Sequence, residues 1–469
     1  MGAEVSADEV GSVRVPASTY RLQITAEFDL FEAARRLPYL HDLGVDWVYL
    51  SPLLAAEPGS RHGYDVVRFD RVDPLRGGAE GLAALSAEAW RLGMGVLVDI
   101  VPNHVGIATP AENPWWWDVL RLGRESEHAT AFDIDWAAGD GRILVPILGD
   151  GDEGSVRIEG DPGRMEVRYH DHRFPMAPGT TTLAEQHYEL VSWRRADTDL
   201  NYRRFFTIDT LAGIRVEDPE VFAETHAEIR RWFDEGLVDG LRVDHPDGLR
   251  FPQRYLDDLA ELTGGAYVVV EKILEPGESL PDGWATQGTT GYDVLGLVDR
   301  VLTDPAGEKP LDALDTRLRG GELDWHCYVH ARKLQVANGV LNAEVRRIVR
   351  EVETVLGGLD TLAGARYSTN GPSLGGRVAA EERGGVSRPT LADAVAELLA
   401  CFPVYRSYLP IGRDHVDEAF GRARQHRPDL ASTFDVLLPI LADPWSQPAR
   451  RFQQTSGMVM AKGVEDCAF

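Results

Sequence analysis

VLVDIVPNH (96–104), GLRVD (240–244) and YVVVE (267–271) are strand-like runs that end in acids or polar groups. In a parallel β-barrel the C-terminal strand ends form the catalytic face, so acids placed there point to carboxylate chemistry. Asp244 and Glu271 stand 27 positions apart, about one strand–helix–strand step. Cleaving a glycosidic bond takes two flanking carboxyls, one as nucleophile and one as proton donor. The chain offers that pair in the right order and setting.

The stretches on either side carry the same rhythm. STYRLQI (18–24) reads as a strand, LFEAARRLPYLHDLG as a helix ending at Gly44, and DWVYLSP as a second strand. EGLAALSAEAWRLG is a helix closed by Gly93, and VLVDIVP a third strand. This alternation predicts an α/β fold, a (β/α)8-type TIM barrel. Residues 15–104 supply strands 1–3. Residues 105–205, rich in Trp, Gly, Asp and Pro, are expected to be a small domain inserted after strand 3, since a loop that long is rarely structureless. RILVPIL and MEVRYHDH are its strand-like pieces, and the Trp115–Trp116–Trp117 run is expected to pack it. Residues 206–300 return to the barrel through a helix at 217–236, strand 4, a helix near 252–263 and strand 5. Residues 301–400 have helical period and form a second insertion, and 401–469 resume the barrel, with CFPVYRSYLP (401–410) expected as a strand.

At 469 residues the chain exceeds one ordinary domain but suits a barrel with insertions. Its net charge of −27 argues against nucleic acid and anionic membrane as partners and sits easily with a neutral sugar. Cys327, Cys401 and Cys467 are widely spaced, which excludes a disulfide scaffold or a cysteine-rich zinc site and suits a reducing compartment. The first residues lack a secretion-signal pattern, and no stretch approaches the roughly 18 apolar residues of a membrane span. A cytoplasmic protein is expected.

Side chains alternate along a strand, so Arg242 and Asp244 share a face, as do Tyr267, Val269 and Glu271. Arg242 is expected to keep Asp244 ionised, as a nucleophile requires. The valines before Glu271 predict partial burial, which favours the protonated form of a donor. The plainer alternative is two carboxylates that cap neighbouring helices. Asp99, Asn103 and His104 form a second cluster, in which His104 is expected to donate to a sugar hydroxyl while Asp99 orders the strand end. Tyr64 in HGYDV (62–66) is placed to stack on a pyranose face.

HGYDV, DIVPNH, GLRVD and VVVE, in that order and at strand ends, resemble the α-amylase superfamily of glycoside-active enzymes. The resemblance implies that Asp244 is the nucleophile, Glu271 the general acid/base, Arg242 the arginine beside the nucleophile, His104 a sugar-binding histidine and Tyr64 the stacking tyrosine. STYRLQ, GLRVDHPDGL, VVVEKIL, WATQGTTGYD (284–293), FPVYRSY and QQTSGMVMAKGVED (453–466) look like the maltooligosyltrehalose synthase family. That family turns the reducing-end α-1,4 bond of a maltooligosaccharide into an α,α-1,1 bond. It would need a closed pocket to hold the freed glucose, for which His245, Asp247 and Lys272 are the candidate grips.

The superfamily also uses a third carboxylate, an Asp after a His near a later strand. His170–Asp171 lies inside the insertion, and Arg413–Asp414–His415 has the reversed order. In the synthase family that motif follows the AKGVED segment, so the sequence reads as stopping short of the third acid, and little or no activity is expected of the chain alone. The alternative functions are an α-glucan hydrolase or 4-α-glucanotransferase, and a glucan-binding protein without catalysis. No cofactor and no metal site is expected. Asn103 matches a calcium-binding position of some amylases, but cytoplasmic relatives often lack the ion.

Overall fold

Six short strands lie side by side in chain order, all parallel: β1 (Thr19–Leu22), β2 (Trp47–Leu50), β3 (Gly95–Ile100), β4 (Gly240–Val243), β5 (Tyr267–Val270) and β6 (Gly288–Thr289). Consecutive order means that each crossover returns beside the strand it left, as in a (β/α)8 barrel. The computed structural model describes residues 13–161, 164–366 and 387–468. Contacts divide the chain into two units, and the whole sheet belongs to the first, formed by 1–192, 202–273 and 279–297.

The helices start and stop where the sequence places them. In α1 (Leu30–Leu43) the Asp29 side chain accepts from the Glu32 N–H, and Gly44 ends the helix at φ 93°. In α2 (Gly78–Leu92) Gly93 does the same at φ 72°. A side chain in that left-handed conformation is strained, so glycine is the natural stop. Leu30, Ala33, Leu37 and Leu40 form the buried face of α1, at helical spacing. On the face of the sheet that carries Asp99, Trp47, Tyr49 and Leu97 pack together with Tyr267 against them. Gly95 makes room for this: a Cβ there would lie 2.4 Å from the Trp47 ring.

The helix expected over 217–236 is two pieces, Pro219–Thr225 and α3 (Ala227–Asp234), broken at His226. His226 is buried and its Nε2 lies 2.8 Å from the Tyr255 hydroxyl of α4 (Pro252–Thr263). Burial brings its pKa down to about 4, so it is a neutral core histidine.

The insertion after β3 begins with His104–Gly106 and comes back along Ile208–Gly213, which pairs antiparallel with it. Between them lie the parallel pair Ile143–Leu148 and Tyr188–Ser192, and the antiparallel strands Arg157–Glu159, Glu166–Tyr169 and His172–Pro175. Both strand-like pieces named from sequence are strands. Trp115 and Trp116 are buried on the helix Pro114–Leu122 and serve packing. The return strand ends at Gly213, beyond the expected boundary, and most of the insertion belongs to the same unit as the sheet.

The second unit contains 193–201, 274–278 and 298–469. Its described part is helical, including α5 (Trp325–Asn338), α6 (Arg388–Ala400), α7 (Arg413–His426) and α8 (Gln447–Met460). CFPVYRSYLP does not return to the sheet. It is an irregular link between α6 and α7 with one isolated bridge, Tyr408 to Ile411. Pro403 and Pro410 lack the N–H groups a ladder needs, so alternation of apolar residues alone does not make a strand here. Among the described residues no helix is long and apolar enough to cross a membrane.

Candidate active site

Asp244 and Glu271 are each one residue past a strand, and the sheet's own hydrogen bonds hold them there. The Asp244 N–H donates to the Ile100 carbonyl (2.9 Å), and the Glu271 N–H to the Val243 carbonyl (2.9 Å). Both acids therefore continue the ladder by one step and emerge at the C-terminal edge.

Register then sets their partner. Arg242 on β4 lies opposite Asp99 on β3. Its Nη1 reaches Asp99 Oδ1 and Asp244 Oδ1, both at 2.8 Å, and its Nη2 reaches Glu271 Oε1 at 2.9 Å. One buried guanidinium thus holds three carboxyls, a use of its planar fork that a lysine could not replace. Asp244 Oδ2 is buried and has no hydrogen-bond partner among the described residues. Glu271 is more open, and its Oε2 accepts the His245 N–H at 3.0 Å.

The expectation that Arg242 keeps Asp244 ionised is corrected. Burial, and after it the charge of Glu271, push the Asp244 carboxyl well above the usual carboxylate range, outweighing Arg242. The reason is that Arg242 is shared: the cluster holds Asp99, Asp244 and Glu271 against Arg242 and Arg21. Three acids against two bases favour the retention of one proton.

Asp99 is the hub of a second layer, with a fully buried side chain. Its Oδ2 accepts from Arg21 Nη1 (3.1 Å), the Tyr49 hydroxyl (3.0 Å) and the Tyr64 hydroxyl (2.5 Å). Arg21 also donates to the Tyr64 hydroxyl at 2.9 Å and lies over the Tyr49 ring at 4.5 Å. Tyr64 is thereby fixed with its ring partly exposed. Neither Arg21 nor Tyr49 is marked as a site residue by any motif in the sequence. Their signal is register: they are opposite each other on β1 and β2, on the face that carries Asp99.

His104 is fully buried, 4.3 Å from the Phe205 ring, and burial lowers its pKa to about 3. It is a neutral imidazole over the working pH range, able to donate one hydrogen bond but carrying no charge. His245 is held in the left-handed region at φ 44°. The Phe205 and Phe206 rings flank it at 5.2 and 4.8 Å. Asp247 and Lys272 are not solvated charges: they form an ion pair at 3.2 Å with side-chain exposures of 7% and 0%.

Gly248 explains HPDGL. A Cβ there would lie 2.4 Å from Asn103 Oδ1 and 2.5 Å from His245 Cδ2. Gly248→Ala is therefore expected to displace both residues and cost about 1–3 kcal/mol of stability, measured by urea unfolding.

These residues all lie in the first unit. The model of the alpha amylase catalytic domain matches residues 27–271, and the chain belongs to the alpha-amylase family. It is similar to the maltooligosyltrehalose synthase of Arthrobacter ramosus, whose solved structure superposes with a TM-score of 0.86 at 54% identity, covering 96% of this chain and 56% of that one. A relative in Mycobacterium tuberculosis that carries the maltooligosyl trehalose synthase name is 42% identical over 465 residues, 96% of this chain and 56% of its own length. A Sulfolobus tokodaii structure of the same description gives a TM-score of 0.77 at 28% identity, covering 97% of this chain and 56% of that one. The chain spans about half the length of the relatives it matches.

Proposed function

We propose that this chain carries the acid–nucleophile half of an intramolecular transglucosylase, which moves the reducing-end glucose of a maltooligosaccharide from an α-1,4 to an α,α-1,1 bond. The observation that carries the reading is the Arg242 clamp on Asp244 and Glu271, set in a chain 54% identical over nearly its whole length to a maltooligosyltrehalose synthase.

In this reading the proton that the cluster retains sits on Glu271 in the reactive form, leaving Asp244 as the carboxylate, and Glu271 gives it to the oxygen that leaves with the terminal glucose. Asp244 Oδ2, the oxygen without a partner, attacks the anomeric carbon, and a glycosyl-enzyme forms. Two carboxyls on adjacent nitrogens of one guanidinium favour the closely spaced retaining arrangement, about 5–5.5 Å, over one that leaves room for water. The freed glucose turns and offers its anomeric hydroxyl, from which Glu271 now takes the proton. The bond count is unchanged, so water must stay out.

Tyr64 stacks on a sugar ring, held at that angle by Asp99 and Arg21. Neutral His104 donates to a hydroxyl, and His245, beside Glu271, grips the freed glucose. Asp247 and Lys272, paired and buried, act on the sugar through the HPDGL loop. Asp99 acts the same way, through Tyr64 and Arg242. Tyr64→Ala is expected to raise KM about tenfold or more. Tyr64→Phe keeps the ring and costs about 1 kcal/mol of stability through the lost donor to Asp99.

The test is product identity. Maltopentaose incubated with this chain joined to a segment that supplies the third carboxylate is expected to lose its reducing end without change of mass, with little or no turnover by the chain alone. Shorter reducing chains would replace this reading with hydrolysis, and binding without product over long incubation would leave a glucan-binding protein. A cytoplasmic setting is supported by the free thiols of Cys327, Cys401 and Cys467.

A further inference from the structure

The second unit contains a cavity of about 940 Å³, and its wall includes His330, Cys401 and His426. Behind them stands Glu397, a carboxylate only 2% exposed. The four residues come from three helices. His330 is on α5, Glu397 lies one turn before Cys401 at the end of α6, and His426 is the last residue of α7.

Their donor atoms converge. Glu397 Oε1 lies 2.8 Å from His330 Nε2, 3.2 Å from His426 Nδ1 and 3.4 Å from Cys401 Sγ. The two imidazole nitrogens are 3.1 Å apart, and Cys401 Sγ is 3.9 Å from His426 Nδ1. All four atoms fit within 4.8 Å of one another. An ion with bonds of about 2.0–2.1 Å to nitrogen or oxygen and about 2.3 Å to sulfur needs a tetrahedron with edges of roughly 3.3–3.7 Å. The observed separations straddle that range, so small side-chain shifts would complete it. Two imidazoles, a thiolate and a carboxylate suit a borderline ion such as Zn²⁺ and not the all-oxygen preference of Mg²⁺ or Ca²⁺. Lys333, the nearby ammonium, donates to the Phe402 carbonyl at 2.6 Å and occupies none of the four donors.

We propose that His330, Glu397, Cys401 and His426 bind one zinc-class divalent ion, which fastens α5, α6 and α7 together. On binding, the Cys401 thiol gives up its proton to solvent and its sulfur bonds to the ion. Four protein ligands leave no open position, so the role is structural. This departs from the expectation of no metal. The donors are spread over 96 positions without a ligand-spacing motif, so sequence alone does not reveal them. The plain alternative is a hydrogen-bonded polar cluster around Glu397.

The test titrates untagged, metal-stripped protein with Co²⁺ and then Zn²⁺. The expected result is about one equivalent of Co²⁺ bound, with tetrahedral visible absorption and a sulfur-to-cobalt charge-transfer band, both displaced by Zn²⁺. Cys401→Ser is expected to lose the charge-transfer band. His426→Ala, at a half-exposed position where folding is not at stake, is expected to weaken binding by more than the roughly 10–100-fold that an outer-shell change costs. Circular dichroism checks that both variants are folded. No stoichiometric uptake, or uptake unchanged in both folded variants, overturns the site and leaves the polar cluster.

Discussion

Asp244→Asn is expected to abolish turnover of maltopentaose by a form that also contains the third carboxylate and, at neutral pH, to raise the melting temperature. The loss follows from removal of the attacking oxygen and is put at roughly 10⁴-fold or more. The gain follows from the cost of holding this charge. Asp244 is buried, one oxygen lacks a partner, and its carboxyl is pushed well above the usual range by burial and by Glu271. A group whose folded pKa is raised contributes stability that is present below its unfolded pKa and is lost as pH rises through the folded pKa. At neutral pH holding this carboxyl is therefore a liability, which asparagine removes. A rise of about 2 °C is expected near pH 7, shrinking towards zero as pH falls to about 4. Scanning calorimetry of both proteins across that range checks it. An active Asp244→Asn protein would remove Asp244 as nucleophile.

Arg242→Met is expected to have the opposite effect on stability. It takes the shared cation from Asp99, Asp244 and Glu271 at once, leaving Arg21 as the remaining cation of the cluster. Breaking a buried ion pair from one side costs about 3–5 kcal/mol, and here the side removed serves three acids. Arg242 stays charged at every practical pH, its proton held more tightly by these carboxylates despite burial. The deficit should therefore grow as pH rises through the titration of the buried Asp244 and shrink below it. Urea unfolding across the pH range measures it. Arg242→Lys is expected to recover only part of the loss, since one ammonium cannot span three carboxyls. A deficit independent of pH would mean that Arg242 acts by packing rather than by charge.

What could be read from the sequence divides along a physical line. Strand ends are local, so the runs that carry Asp99, His104, Arg242, Asp244 and Glu271 are enough to single them out as candidates. The partners that hold them come from register. Arg21 and Tyr49 reach Asp99 only because β1, β2 and β3 lie side by side, and single-strand patterns do not contain that order. Burial is likewise a tertiary quantity. His245, Asp247 and Lys272 look like loop charges until the close approach at Gly248 folds the loop and the last two pair. In the second unit helical period was sufficient for α5 and α6, whereas alternation in CFPVYRSYLP imitated a strand where prolines forbid one. Sharing was invisible for the same reason: an Arg two residues before an Asp reads as a private partner, and the fold gave it two more.

The assignment of Asp244 as nucleophile and Glu271 as proton donor can be tested without relying on full turnover. A 5-fluoro α-glucosyl fluoride carries a leaving group that needs no acid and forms a slow-reacting glycosyl-enzyme. Peptide mapping by mass spectrometry after incubation is expected to find one hexosyl adduct on the peptide that contains Asp244, absent from Asp244→Asn and retained in Glu271→Gln. An adduct on Glu271, or one that persists in Asp244→Asn, would contradict the assignment.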